Sequence, residues 1–303
     1  MQSRLLWRDG ALVPWGEANV SVLAHSLQRG SAVFDVLSFR EGDRGICVFR
    51  LHEHVDRFLR SAAIVGLDVE PSREALCRAT CDVVRASGLA SGLVRIVGCF
   101  AVPEGDLVPT VTRASVAIAA YAPGDFPARH KAGATVRVKV PDDTRKAGPE
   151  VVSPQAKVAA AYLGPMIARA RALAEGFDEV VLLDREGAIA EAPTANVFAV
   201  IDDTLATPPL DRVLAGITRD AIVQIAREEG IATAEAKFGL SSFRRAREAF
   251  LAATSYNVKP IAAVDGSALE AAPGPITARL SERLEAIAFG RDDRFAHWLT
   301  PIL

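Results

Sequence analysis

"APGDFPARHKAG", residues 122–133, decides how this chain is divided. Proline, glycine and charge concentrate there, as in an exposed inter-domain linker. The reading is a smaller domain over 1–121, a linker over 122–133 and a larger domain over 134–303. On the N-terminal side, "LLWRDGALV" has the form of a hairpin turning at Asp9-Gly10. "AVFDVLSFR" and "ICVFR" flank a second turn, "EGDRG". A helix is predicted from about Leu51 to Val65, with Leu51, Val55, Phe58, Leu59 and Ala62 on one face. Another runs from about Ser72 to Ala86, before the strands "GLVRIVGCF" and "SVAIAAY". On the C-terminal side, "ATVRVKV" alternates as a half-buried strand does. "EVVLLD", "NVFAVI", a helix over Thr218–Glu229, "EAFLAAT", "VKPIAAVDG" and a helix from about Ile276 to Phe289 follow. Many short strands with few helices between them give an α+β class, without the regular alternation of a doubly wound sheet.

The composition narrows the function. The 303 residues are 50% hydrophobic, enough for a large core. A formal net charge of −2 leaves no basic footprint for nucleic acid. No apolar run approaches the length of a membrane span, and "MQSRLLWRDG" lacks the apolar stretch of a secretory signal. Of the four cysteines, Cys77 and Cys81 lie four apart on a predicted helix, which suits packing better than a bridge. The expectation is a soluble, reduced, cytoplasmic protein.

Four segments carry chemistry. "SPQAKVAAAYLGPMIARARALAEG" (153–176) is read as an alanine-rich helix with Lys157 as the lone charge of its first turns. A helix start disfavours a cation, so a lysine there either faces water or is kept neutral enough to form a Schiff base. Tyr162 follows five residues on, where a phenol could bond a ring oxygen or merely pack. In "AIAEAPTANVF", Glu191 is either a solvated carboxylate or the partner of a pyridine nitrogen. In "LAGITRDAIVQIAREEG", Gly216 precedes a helix predicted to start at Thr218, whose hydroxyl would cap it. The N–H groups of Ile217 and Thr218 would then face an anion. In "LHEHVDRFLRSA", Arg57 could pair with Glu53 or clamp a phosphate in bidentate fashion. His52 and His54, two apart on a helix, cannot share a face, so no metal site is expected. Together these residues supply an amine for an aldehyde, an acid for a pyridinium and anchors for a phosphate, the requirements of pyridoxal phosphate.

Five segments in this order and spacing carry a family resemblance: "HSLQRGSAVFDVLSFR", "VFRLHEHVDRFLRSA", "LAGITRDAI", "FLAATSYNVKPI" and "PITARL". Over nearly its whole length the chain resembles the fold-type IV (class IV) pyridoxal-phosphate aminotransferases, the branched-chain type in particular. The resemblance implies a small N-terminal α/β domain, a larger C-terminal domain and a homodimer. It implies an amino acid as donor and a 2-oxo acid as acceptor. It makes Lys157 the Schiff-base lysine and proton shuttle, and sets Tyr162 on the cofactor's phenolic oxygen. Glu191 pairs with the pyridine nitrogen and Asn196 closes its turn. Arg57, Gly216, Ile217, Thr218 and Thr254 belong to the phosphate site, and Leu214 packs on the ring. Ser255 and Tyr256 offer backbone N–H groups to a substrate carboxylate. Phe34 and Arg95 agree with the branched-chain pattern. Arg29 and Leu93 stand where that pattern has tyrosines, and Ala195 where it has glutamate. Phe100 aligns with the arginine that D-amino-acid enzymes use to trap carboxylate. Alternatives within the resemblance are a D-amino-acid or R-amine transaminase and an aminodeoxychorismate lyase. Intact Lys157 and Glu191 argue against a non-catalytic homologue.

Overall fold

In the computed structural model, which describes residues 4–126 and 134–302, Asp9 and Gly10 take positive φ, 47° and 109°. They fold β1 (Leu5–Arg8) back on β2 (Ala11–Pro14) as a hairpin. A short helix α1 (His25–Arg29) leads to the hairpin of β3 (Val33–Gly42) and β4 (Gly45–Phe49), turning where "EGDRG" predicts. Then come α2 (Leu51–Ile64), α3 (Arg73–Ser87), β5 (Ser91–Cys99) and β6 (Ser115–Tyr121). The helix bounds agree with the sequence reading to within a residue. Ser72 caps α3 by accepting from the Ala75 N–H at 3.2 Å.

Contacts divide the chain into two compact units. The first takes Met1–Pro127, Ala156–Ala160 and Ala286–Leu303; the second takes Ala128–Gln155 and Ala161–Glu285. Of the linker 122–133, residues 127–133 lie outside the described residues, and Pro123–Asp125 forms one 3-10 turn. The first unit is built on a seven-stranded antiparallel sheet. Its order is a C-terminal strand, Leu299–Pro301, then β4, β3, β5, β6, β1 and β2. α2 buries Leu51, Val55, Phe58 and Ala62, as its periodicity requires, and with them His54, Arg57 and Ser61, whereas Leu59, expected on the same face, lies at its margin and is only half-buried.

The second unit begins with β7 (Val136–Lys139), α4 (Leu163–Ala174), β8 (Glu179–Val180) and β9 (Glu191–Ala192). There follow β10 (Ala195–Ile201), β11 (Thr204–Thr207), α5 (Ile217–Glu228), β12 (Thr233–Glu235) and α6 (Leu240–Arg244). β13 (Glu248–Ala253), β14 (Asn257–Val264) and β15 (Ser267–Ala268) complete a nine-stranded sheet. Its main path runs β12, β11, β10, β13, β14, β7, β8, with parallel pairs at β11–β12, β14–β7 and β7–β8. β10 and β13 are buried almost throughout, and the Phe198 and Phe250 rings stack at 4.9 Å between them. The helix α7 (Pro275–Ala288) leads to β16, the Leu299–Pro301 strand that closes the first unit's sheet. The mixture is α+β. Among the described residues no helix is long and apolar enough to cross a membrane.

Candidate active site

Lys157 is not at a helix start. It lies outside any helix, before the 3-10 turn Ala159–Tyr162, and α4 begins only at Leu163. The helix expected over this stretch therefore starts later, and the dipole argument for Lys157 falls with it. The reason is where the backbone spends its hydrogen bonds. The Lys157 N–H donates to Ser61 Oγ at 3.0 Å, and its carbonyl accepts the Phe34 N–H at 3.1 Å. Val158 bridges Val33, and Ala159 N–H donates to the Ala32 carbonyl at 2.8 Å. This segment is an added edge of β3. The half-buried Lys157 amine lies 5.0 Å from the Phe34 ring centroid, and the Arg95 guanidinium lies 5.2 Å from the same ring. Arg29 is exposed at the end of α1, with Gln28 Oε1 at 3.4 Å. Leu93 is half-buried on β5. Phe100 is buried against His25, so no guanidinium stands at that position to trap a carboxylate.

Arg57 is buried, and Glu53 takes Arg50 at 2.7 Å. Arg57 grips Asp35 on β3 with a fork, Nε to Oδ2 at 2.7 Å and Nη2 to Oδ1 at 2.8 Å. His54 Nδ1 donates to the same Oδ1 at 2.7 Å, and the Val36 N–H adds 2.8 Å. Burial raises the Asp35 carboxyl, but the Arg57 guanidinium and His54 outweigh it and hold the group well below the usual carboxylate range. Burial lowers His54 against the opposing pull of Asp35, so its imidazole is neutral with the proton on Nδ1. His52 points elsewhere, 3.5 Å from Cys77 Sγ. Among the described residues no group of three or more His, Cys, Asp or Glu is placed to hold a metal ion.

In the second unit Glu191, Asn196, Leu214 and Gly216 come together. β9 pairs with β10 so that Glu191 opposes Asn196. Glu191 Oε2 accepts from Asn196 Nδ2 and from the Leu214 N–H, each at 3.1 Å, and Asn196 Nδ2 also donates to the Leu214 carbonyl at 3.0 Å. The other oxygen, Oε1, meets the Lys146 ammonium. Asn196 thereby ties the strand to the 214–216 loop that opens α5. A Cβ at Gly216 would collide with Asn196 Oδ1, so only glycine allows this approach. The expected Thr218 cap is not formed. Gly216 is the N-cap, with no side-chain cap, α5 starts at Ile217, and Thr218 is buried one residue inside. Thr254, Ser255 and Tyr256 form the turn joining β13 to β14. The Tyr256 N–H donates to the Ala253 carbonyl at 3.4 Å, and burial, with the Glu179 carboxylate, pushes its phenol well up. Ala195 is buried on β10, and Tyr162 ends the 3-10 turn before α4, half-buried.

Asp35, His54, Ser61 and Lys146 escaped the sequence reading. Asp35 carried a signal, a carboxylate inside an apolar strand, and His54 fell on the buried side of α2. Lys146 carried none, because its partner is remote in sequence.

Comparison with known proteins gives the family. Residues 32–264 match the family model described as amino-transferase class IV. The branched-chain-amino-acid aminotransferase of Pseudomonas aeruginosa is 31% identical over 297 residues, covering 98% of this chain and 96% of that protein. The solved branched-chain aminotransferase of Thermoproteus uzoniensis, with norvaline, superposes with a TM-score of 0.93 at 35% identity, over 99% of both chains. The branched-chain amino acid aminotransferase of Thermobaculum terrenum, solved in its PLP form, has a TM-score of 0.91 at 28% identity, over 99% of this chain and 98% of that one. A family match across most of its length, and relatives alike from end to end, make this chain a member of the class IV amino-transferases.

Proposed function

We propose that this chain is a pyridoxal-phosphate-dependent branched-chain-amino-acid aminotransferase, passing an amino group from an α-amino acid to a 2-oxo acid. The observation that carries the reading is the Glu191 carboxylate, fixed through one oxygen by Asn196 and the Leu214 N–H. The donor set suits the cofactor. An amine, a fixed carboxylate and a guanidinium are all present, and at Gly216 a helix opens with no side-chain cap over its first N–H groups.

When bound, the cofactor's aldehyde condenses with amines, and its protonated pyridine ring draws electrons from the substrate carbon. Lys157 would hold the cofactor through its amine and, once released, would serve as the base that moves the substrate α-proton. Its backbone anchors on Ser61 and Phe34 fix where that amine starts. Glu191 would accept the N–H of the pyridine, and Asn196 and the Leu214 N–H keep its carboxylate in place. Ile217 and Thr218 at the start of α5, with Arg57 and Thr254, would hold the phosphate, Leu214 would pack on the ring and Tyr162 would bond the phenolic oxygen. Ser255 and Tyr256, Phe34, Arg95 and Arg29 are assigned to the substrate.

A homodimer belongs to this reading. Leu27, Leu107 and Val108 of the first unit are 61%, 72% and 71% exposed, and such apolar side chains are what a dimer seam would cover. A cytoplasmic setting also belongs to it, and the four cysteines are free thiols. The D-amino-acid, R-amine and lyase readings find no support among the relatives named above.

Borohydride reduction of the holo-protein, followed by peptide mapping, is expected to leave the stable adduct on Lys157. L-leucine alone should then convert unreduced holo-protein to its pyridoxamine form. An adduct elsewhere, or pyruvate released without an acceptor, would overturn the assignment.

A further inference from the structure

Asp35 has no place in the roles above, yet its buried carboxylate accepts four hydrogen bonds. It is fully buried, His54 is 1% exposed and Arg57 4%. Its two oxygens receive Arg57 Nε, Arg57 Nη2, His54 Nδ1 and the Val36 N–H, all at 2.7–2.8 Å. We propose that Asp35, with His54 behind it, is a positioning residue for Arg57. The fork fixes the plane of the guanidinium, and with it the direction in which its N–H groups are offered to an anion. The proposal rests on the phosphate role given to Arg57 above.

Two physical points favour positioning over mere stability. A buried ion pair recovers little net free energy, since desolvating both charges offsets most of their attraction. α2 and β3 already pack through Val55, Phe58 and Leu37, each fully buried, so the contact does not need an ion pair to close. The second point is charge. Asp35 cancels the charge of Arg57, so what this arginine offers an anion is directed N–H groups rather than net attraction. A guanidinium in that state is useful only if its direction is fixed. The fork fixes two of its nitrogens, and His54 fixes the carboxylate by filling a further lone pair of Oδ1.

The test separates phosphate recognition from everything else the cofactor touches. Apo-protein is titrated with pyridoxal phosphate and with pyridoxal, which has the same ring and no phosphate. The ratio of the two dissociation constants reads the phosphate contribution, whereas a general loss of structure moves both constants together. Arg57→Ala should collapse the ratio; if it does not, the phosphate role of Arg57 fails and the proposal falls with it. Asp35→Asn should lower the ratio by about tenfold, the scale on which outer partners act on the groups they orient, with pyridoxal affinity unchanged. His54→Gln leaves the ion pair in place and should lower the ratio by about threefold, which keeps the test open if Asp35→Asn does not fold. In the Arg57→Ala background Asp35→Asn should cost nothing more. An unchanged ratio in His54→Gln and Asp35→Asn beside a collapsed one in Arg57→Ala would overturn the proposal. So would a ratio that rises, because the freed charge would then matter more than its direction.

Discussion

At Gly216 a single hydrogen decides whether Glu191 can be held. The missing Cβ is what lets Asn196 lie against the start of α5 while its amide reaches both Glu191 and Leu214. Gly216→Ala should therefore push Asn196 aside, cost about 1–3 kcal/mol as overpacking does, and loosen the carboxylate. Denaturant titration should show the lost stability, and a variant as stable as the parent would contradict the geometry. Lys157 and Glu191 could be nominated from the sequence because an amine and an acid announce their chemistry by type. Lys146 and Asp35 were not, because what makes each significant is a partner that only folding brings near, Glu191 for one and Arg57 for the other.

The helix α2 is a single element with two readings. Its apolar stripe predicted which side faces the sheet, and Leu51, Val55, Phe58 and Ala62 are indeed buried. The same side carries His54, Arg57 and Ser61, which hydropathy alone would assign to water. The stretch after Pro154 misled in the opposite sense. Its alanines favour helix, but Val158 bridges Val33 and Lys157 bonds to Ser61 and Phe34, so tertiary pairing overrides propensity until Leu163. The buried polar face of α2 makes an acid sensitivity. With its folded-state value lowered, His54 stays neutral in the native protein while the unfolded chain gains a proton as pH falls below about 6.5. Stability is thus lost on descending from that point, at up to about 1.4 kcal/mol per pH unit, until the folded imidazole also protonates. Asp35 acts in the same direction lower down, below the ordinary aspartate value of about 3.9. His54→Gln should flatten the fall of the melting temperature between pH 7 and pH 5. An identical slope in both proteins would remove His54 from the account.

Across the described residues the chain passes between its two units at 155–156, 160–161 and 285–286. No local signal in the sequence marks 156–160 or 286–303 as parts of the first unit. Their membership is a matter of pairing, of Val158 with Val33 and of β16 with β4. Trp298, just before β16, is 3% exposed, meets Phe49 edge-on at 5.8 Å and lies under the Arg50 guanidinium at 4.7 Å. Trp298→Ala should cost about 3–5 kcal/mol, read by thermal or urea unfolding, and a near-neutral result would show that the C-terminal stretch is not integral to the first unit. The β16–β4 pairing also bears on biosynthesis. β4 leaves the ribosome early, and Leu299 follows on the order of 10–50 s later at ordinary elongation speeds. For that interval a bare strand edge waits with no cover, a hazard that a nascent chain meets by binding a chaperone or by delaying its collapse.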